Sequence, residues 1–140
     1  AIASNEELCS NEQNAVYPFA ISNLDSGLPY LEPAGMWQAL LGDLARQVSA
    51  PVISARFHRG LAVAVANMVK KLSIVDSSPR FDTVVLTGGV FQNRLLLQLT
   101  RDLLQVHGFT VLTPARIPAN DGGIALGQAL IASAKSLERK

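Results

Sequence analysis

The feature that most constrains this 140-residue chain is a short apolar run, Thr83-Val84-Val85-Leu86, that leads directly into Thr87-Gly88-Gly89-Val90-Phe91-Gln92-Asn93. A run that is apolar on both faces and bounded by glycine has the pattern of a central parallel strand covered on each side. Beyond the glycines, residues 91–106 place Leu95, Leu99, Leu103 and Val106 on one face of a helix. Gly108 stops that helix, and Phe109-Thr110-Val111-Leu112 reads as a second strand. Residues 83–112 are therefore predicted to form a βαβ unit with parallel strands and a right-handed crossover.

Upstream, Val16-Tyr17-Pro18-Phe19-Ala20-Ile21 alternates as a strand. Pro18 cannot donate to a ladder, so it belongs on an edge or at a bulge. Asn23 to Pro29 reads as a turn, with Tyr30-Leu31 pairing back. Trp37, Leu40, Leu41, Leu44 and Val48 predict the core face of a helix near 34–48. Phe57, Leu61, Val65, Met68 and Leu72 do the same near 52–73, with Arg56, Arg59, Asn67, Lys70 and Lys71 on the opposite face. Downstream, Asp121 opens a last helix to about Ser136, rich in small residues (Gly122, Gly123, Ala125, Gly127, Ala129, Ala132, Ala134). Two adjacent glycines at a helix start imply close approach of a ligand or a neighbouring element.

Composition fits one globular domain: 49% hydrophobic, 16% charged, net charge +1. There is no basic stripe for nucleic acid and no apolar run of membrane-spanning length. The first residues lack the pattern of a signal peptide. A single cysteine, Cys9, excludes an internal disulfide and suggests a cytoplasmic setting. Residues 1–14 read as a loose N-terminal segment. The start at Ala1 suggests a fragment or a processed product.

Two segments can carry chemistry. Gly88-Gly89 sits between a strand and a helix, where a helix N-terminus offers free N–H groups to an anion. Taken alone, a ligand loop and a plain turn are equally good readings. The spacing is neither a dinucleotide fingerprint nor a P-loop. The other segment is Pro118-Ala119-Asn120-Asp121-Gly122-Gly123. Asn or Asp there is ordinarily an N-cap. A lone Asp does not make a metal site, and there is no H-x-x-x-H pair to complete one. His58 reads as a structural histidine, and His107 as a favourable charge at a helix C-terminus. No residue is assigned as a catalytic nucleophile or as an acid or base.

Val84 to Asn93 and Pro118 to Gln128 together resemble the C-terminal domain of the hydrogenase-maturation carbamoyltransferase family, HypF. Ala55-Arg56-Phe57-His58 and Tyr17-Pro18-Phe19 are similar to that family too, so the resemblance runs from about residue 15 to the end. It implies an α/β fold: a fragment of an actin-like (RNase H-like) ATPase domain, a mixed sheet with a parallel βαβ unit and flanking helices. Residues 15–140 would be its C-terminal lobe, with a helical segment at 34–73 and a βαβα core at 83–137.

The resemblance also implies an activity. Carbamoyl adenylate, made from carbamoyl phosphate and ATP, would give its carbamoyl group to the C-terminal cysteine of a HypE-type partner, on the route to the cyanide ligand of NiFe hydrogenase. Gly88, Gly89, Val90, Asn93 and Gly122 match nucleotide-contacting positions. Asp121 matches a carboxylate that joins two histidines on a divalent metal ion (Fe, Zn or Mg). Those histidines and the adenylate-forming domain are missing here, so the chain alone is expected to be inactive and to self-associate through apolar surface. Related O-carbamoyl or tRNA threonylcarbamoyl transferases, or a non-catalytic nucleotide-binding or partner-docking module, are the alternatives.

Overall fold

The structure, a computed structural model, describes residues 15–75, 78–79, 81–115, 117 and 120–137. The expectations for residues 1–14, Cys9, Pro118 and Ala119 fall outside these. In chain order the elements are β1 (Ala20–Asn23), β2 (Pro29–Glu32), α1 (Ala34–Ala45), α2 (Ala50–Leu72), β3 (Ile74–Val75), β4 (Ser78–Pro79), β5 (Thr83–Val85), α3 (Arg94–Val106), β6 (Thr110–Leu112) and α4 (Ile124–Leu137). One 3-10 turn, Gly89–Gln92, precedes α3, and another, Asp121–Gly123, precedes α4.

The α/β class and the parallel unit are those expected from the sequence: β5 and β6 pair in parallel across α3. Among the described residues the strands pair as three two-stranded sheets, β1-β2, β3-β4 and β5-β6. The predicted turn closes the antiparallel β1-β2 hairpin, with Leu24 N–H donating to Leu28 O at 2.8 Å. Pro18 lies just before β1, outside the ladder, so its missing N–H leaves no gap.

Helix α2 runs through the middle and buries small residues: Gly60, Ala62, Ala64 and Ala66. Ala66 joins Leu86 and Leu104 in the core, with Val84, Phe91, Phe109 and Val111 packed around them. At Gly60 the backbone of Tyr17 comes close. A Cβ there would meet Tyr17 N at 3.0 Å and C at 3.2 Å, and its carbonyl oxygen closer still. Only glycine permits that approach.

A buried ionic cluster joins the segment before β1 to α1 and α2. Tyr17 Oη donates to Asp43 Oδ2 at 2.8 Å. Arg56 and Arg46 donate to the two carboxylate oxygens at 2.6 and 2.5 Å. Burial alone would push the Asp43 carboxyl up, but the bonds from Tyr17, Arg56 and Arg46 outweigh it and hold it down at about 2. Burial and the neighbouring carboxylate push the Tyr17 phenol up to about 12.

Several faces differ from those predicted. In α1 the buried residues are Met36 and Asp43, while Trp37, Leu41 and Leu44 of the apolar stripe are exposed. The buried carboxylate must face Tyr17 and Arg56, and that requirement sets the helix rotation. Arg56, predicted on the polar face, is turned inward, its side chain only 13% exposed. In α3 the fully buried positions are Leu96, Thr100 and Leu104; of the predicted stripe, Leu103 is half-buried against the core and Leu99 half-buried, while Leu95 and Val106 are exposed. Leucines cover a broad arc there, so i, i+4 spacing admits either phase. β5 is covered on one face only: Leu86 is buried and Val85 exposed. Helix α4 is exposed along its length, apart from half-buried Gly127.

Candidate functional site

The parallel pairing carries the chain out of β5 and β6 at one edge. Val85 lies opposite Leu112, and Leu86 N–H donates to Leu112 O at 2.9 Å. The glycine loop follows β5 within three residues, and the segment leading to Asp121 follows β6. That edge, outside the carboxyl ends of parallel strands, is where α/β proteins commonly bind ligands.

The loop is built from inside to outside. Phe91 packs on the Ala66–Leu86–Leu104 core and anchors the turn. Gly88 has φ +106° and ψ 160°, a region open essentially to glycine alone. Phe91 N–H closes the turn on Gly88 O at 3.1 Å. A Cβ at Gly88 or at Gly89 would meet no atom within 4 Å, and Val90 is exposed. The outer side of the turn is therefore open space beside backbone.

Asn93 is the N-cap of α3, its Oδ1 accepting from Leu96 N at 3.1 Å. Its Nδ2 lies 2.8 Å from His58 Nε2, and His58 Nδ1 lies 2.7 Å from the Ser54 carbonyl. The Phe57 and His58 rings stand edge-to-face, with centroids 5.7 Å apart. Sequence reasoning gave His58 no role toward the loop. Nothing in the chain order pairs it with a residue 35 positions away, and only the packing of α2 on α3 brings the two together. His58 also borders an apolar groove of about 400 Å³, lined by Leu40, Leu44, Val48, Ile53 and Phe57 among others. His107, expected near a helix end, is the C-cap residue of α3, its N–H donating to Leu103 O.

At the second segment the cap is Asn120, not Asp121: Asn120 Oδ1 accepts from Gly122 N at 3.0 Å. Asp121 is exposed in the first turn that follows, as is Gly122. Among the described residues no group of three or more His, Cys, Asp or Glu side chains could hold a metal ion. Asp121 is thus a single exposed carboxylate, and these residues do not by themselves fit a metal. Among the described residues, no helix is long and apolar enough to cross a membrane.

Residues 1–128 match the family described as carbamoyltransferase, Kae1-like domain, second subdomain. The chain belongs to this family. It is 41% identical over 105 residues to carbamoyltransferase HypF of Rhodobacter capsulatus, covering 75% of this chain and 13% of that protein. With carbamoyltransferase HypF of Synechocystis it shares 30% identity over 132 residues, 93% of this chain and 16% of the relative. The chain thus spans about one-seventh of the length of these relatives. Among solved structures, full-length HypF in a phosphate- and nucleotide-bound form superposes with a TM-score of 0.75 at 27% identity, over 94% of this chain and 18% of that one. HypF of T. kodakarensis shares the fold, with a TM-score of 0.57 at 20% identity over 90% of this chain and 16% of that one.

Proposed function

We propose that this chain is the nucleotide-holding lobe of a HypF-type carbamoyltransferase, acting in the cytoplasm. The observation that carries the reading is the Gly88-Gly89 turn: it is anchored by Phe91, open at both Cβ positions, and stands at the carboxyl edge of the parallel pair. A nucleotide-bound form of the similar full-length HypF supports it.

In this reading Gly88, Gly89 and Val90 lie along the adenylate, with Asn93 behind them and Gly122 across the edge. The substrate is carbamoyl adenylate formed from carbamoyl phosphate and ATP, and the acceptor is the C-terminal cysteine of a HypE-type partner. The attacking thiolate belongs to that partner, so this lobe contributes positioning and backbone N–H groups rather than a nucleophile. Asp121 would add one carboxylate to a divalent ion whose other ligands lie outside these residues. The lobe alone would be inactive, and its exposed apolar faces favour self-association.

The test is Gly89→Val in the full-length protein carrying this segment. The new side chain enters space that is empty here, so the fold should survive while calorimetry shows weaker AMP binding. Unchanged affinity would place the ligand elsewhere.

A further inference from the structure

The contact between His58 and Asn93 bears on how the glycine loop is held. We propose that His58, with its single imidazole proton on Nδ1, is a positioning residue that orients the Asn93 amide and through it the start of α3 and the loop; this rests on the reading of that loop as a nucleotide site.

The polarity of the contact follows from its two ends. Leu96 N–H can only donate, so the Asn93 atom 3.1 Å from it is Oδ1. The other amide atom is then Nδ2, also a donor only, and it lies 2.8 Å from His58 Nε2. That nitrogen must present its lone pair. The imidazole proton therefore sits on Nδ1, 2.7 Å from the Ser54 carbonyl, which can only accept. Donation runs in one direction, from Leu96 through Asn93 and from Asn93 to His58, while His58 donates on to Ser54. Turning the Asn93 amide over would break its bonds to both Leu96 and His58.

The support behind His58 is firm on both sides. Two residues before it, Arg56 is held by buried Asp43. Two residues after it, Gly60 is pressed against the Tyr17 backbone. His58 thus carries the position of α2 across to the cap of α3. With one bond made at each end, the Asn93 amide keeps one Nδ2 hydrogen for a ligand, and the bond to His58 fixes the plane in which it lies.

The test uses the full-length protein carrying this segment, with AMP affinity read by calorimetry beside the melting temperature. His58→Leu removes the acceptor and should weaken AMP binding by about three- to tenfold. His58→Gln places an amide oxygen near the Nε2 position and should restore affinity to within about twofold, whereas His58→Asn, too short, should not. In an Asn93→Ala background, His58→Leu should weaken binding no further. Gly89→Val separates two failures. If it leaves AMP affinity unchanged, the loop is not a nucleotide site and the proposal falls with that reading. If it abolishes binding while His58→Leu binds like wild type, or while His58→Gln is as weak as His58→Leu, the positioning role alone is overturned.

Discussion

Helices α2 and α4 both carry a series of small residues, and the two series meet opposite fates. Helix α2 buries Gly60, Ala62, Ala64 and Ala66 against the Tyr17 backbone and the core around Leu104. Helix α4 carries Gly127, Ala129, Ala132 and Ala134, together with Ile124, Leu126, Leu130 and Ile131, and exposes nearly all of them. A Cβ at Gly127 would meet no atom within 4 Å, whereas one at Gly60 would collide with backbone. Small residues license close approach but do not supply the partner. A helix that is apolar around much of its circumference is suited to burial, and among the described residues nothing covers α4. The same contrast separates the two site segments: the glycine loop is fastened to the core by Phe91, while Asp121 stands at the head of the uncovered helix.

The largest expected effect tests that contrast with two leucines. Leu104→Ala should destabilise the 140-residue chain by about 2–5 kcal/mol in urea unfolding, because Leu104 is completely buried. Leu130→Ala should change it by less than about 0.5 kcal/mol, because Leu130 is 61% exposed. In the full-length protein the gap between the two should narrow. If Leu130→Ala is already costly in the isolated chain, α4 packs there and the contrast fails.

Next come the glycines, where the sign should reverse. Gly60→Ala should destabilise by about 1–3 kcal/mol, since backbone must move to admit the methyl group. Gly127→Ala should stabilise by about 0.5–1 kcal/mol, since a helix-interior alanine enters open space. Thermal melts of the two variants with the same sign of shift would sink the distinction.

The buried cluster beneath α2 should make the chain sensitive to acid. The folded Asp43 carboxyl lies at about 2, below its ordinary 3.8. Its stabilisation is therefore complete above about pH 4 and is lost as pH falls towards 2, an effect on the order of 2 kcal/mol. Tyr17 acts at the other extreme: with its phenol raised to about 12, its contribution is complete below pH 10 and fades as pH rises through 12. Urea midpoints for wild type and Asp43→Asn, compared at about pH 6 and pH 2.5, should converge at the lower pH. A constant difference would show that the carboxylate is not the titrating group.

The smallest effect compares the ends of α1 and α3. Both close with the same pair of hydrogen bonds: Val48 N–H to Asp43 O with Gln47 N–H to Leu44 O, and Phe109 N–H to Leu104 O with Gly108 N–H to Gln105 O. Gly108 occupies the left-handed position in α3, but Gln47, at φ +57°, occupies it in α1. Gln47→Gly should raise stability by about 0.5–1 kcal/mol, measurable as a higher melting temperature.

Much of the local structure was legible in the residues. The helices, the hairpin turn and the parallel unit follow from periodicity and from glycine and proline placement, which act within a few residues of the chain. The site was half legible. Gly88-Gly89 announces itself between a strand and a helix, but the partner of Asn93 lies on α2 and leaves no mark near the loop. Asn120 and Asp121 are both capping residue types, and only the hydrogen bond to Gly122 separates them.

By itself the sequence determined the helices, the parallel unit, where the glycine turn falls and which family the chain resembles, because those depend on side-chain order over short distances. Its alternation predicts the first strand over residues 16–21, but that strand runs Ala20–Asn23, and the short β3-β4 pair left no signal. Helix rotation was decided only in three dimensions. The leucines of α3 allow two phases, and contact with Ala66 and Leu86 selects the one that buries Leu96, Thr100 and Leu104. The stripe of α1 predicts Trp37 and Leu41 inward, but a buried carboxylate must face Tyr17 and Arg56, and that turns Trp37, Leu41 and Leu44 outward while Leu40 and Val48 stay half-buried. Leaving a buried charge unpaired costs more than exposing a few leucines, so the polar cluster, not the apolar period, set the orientation of α1.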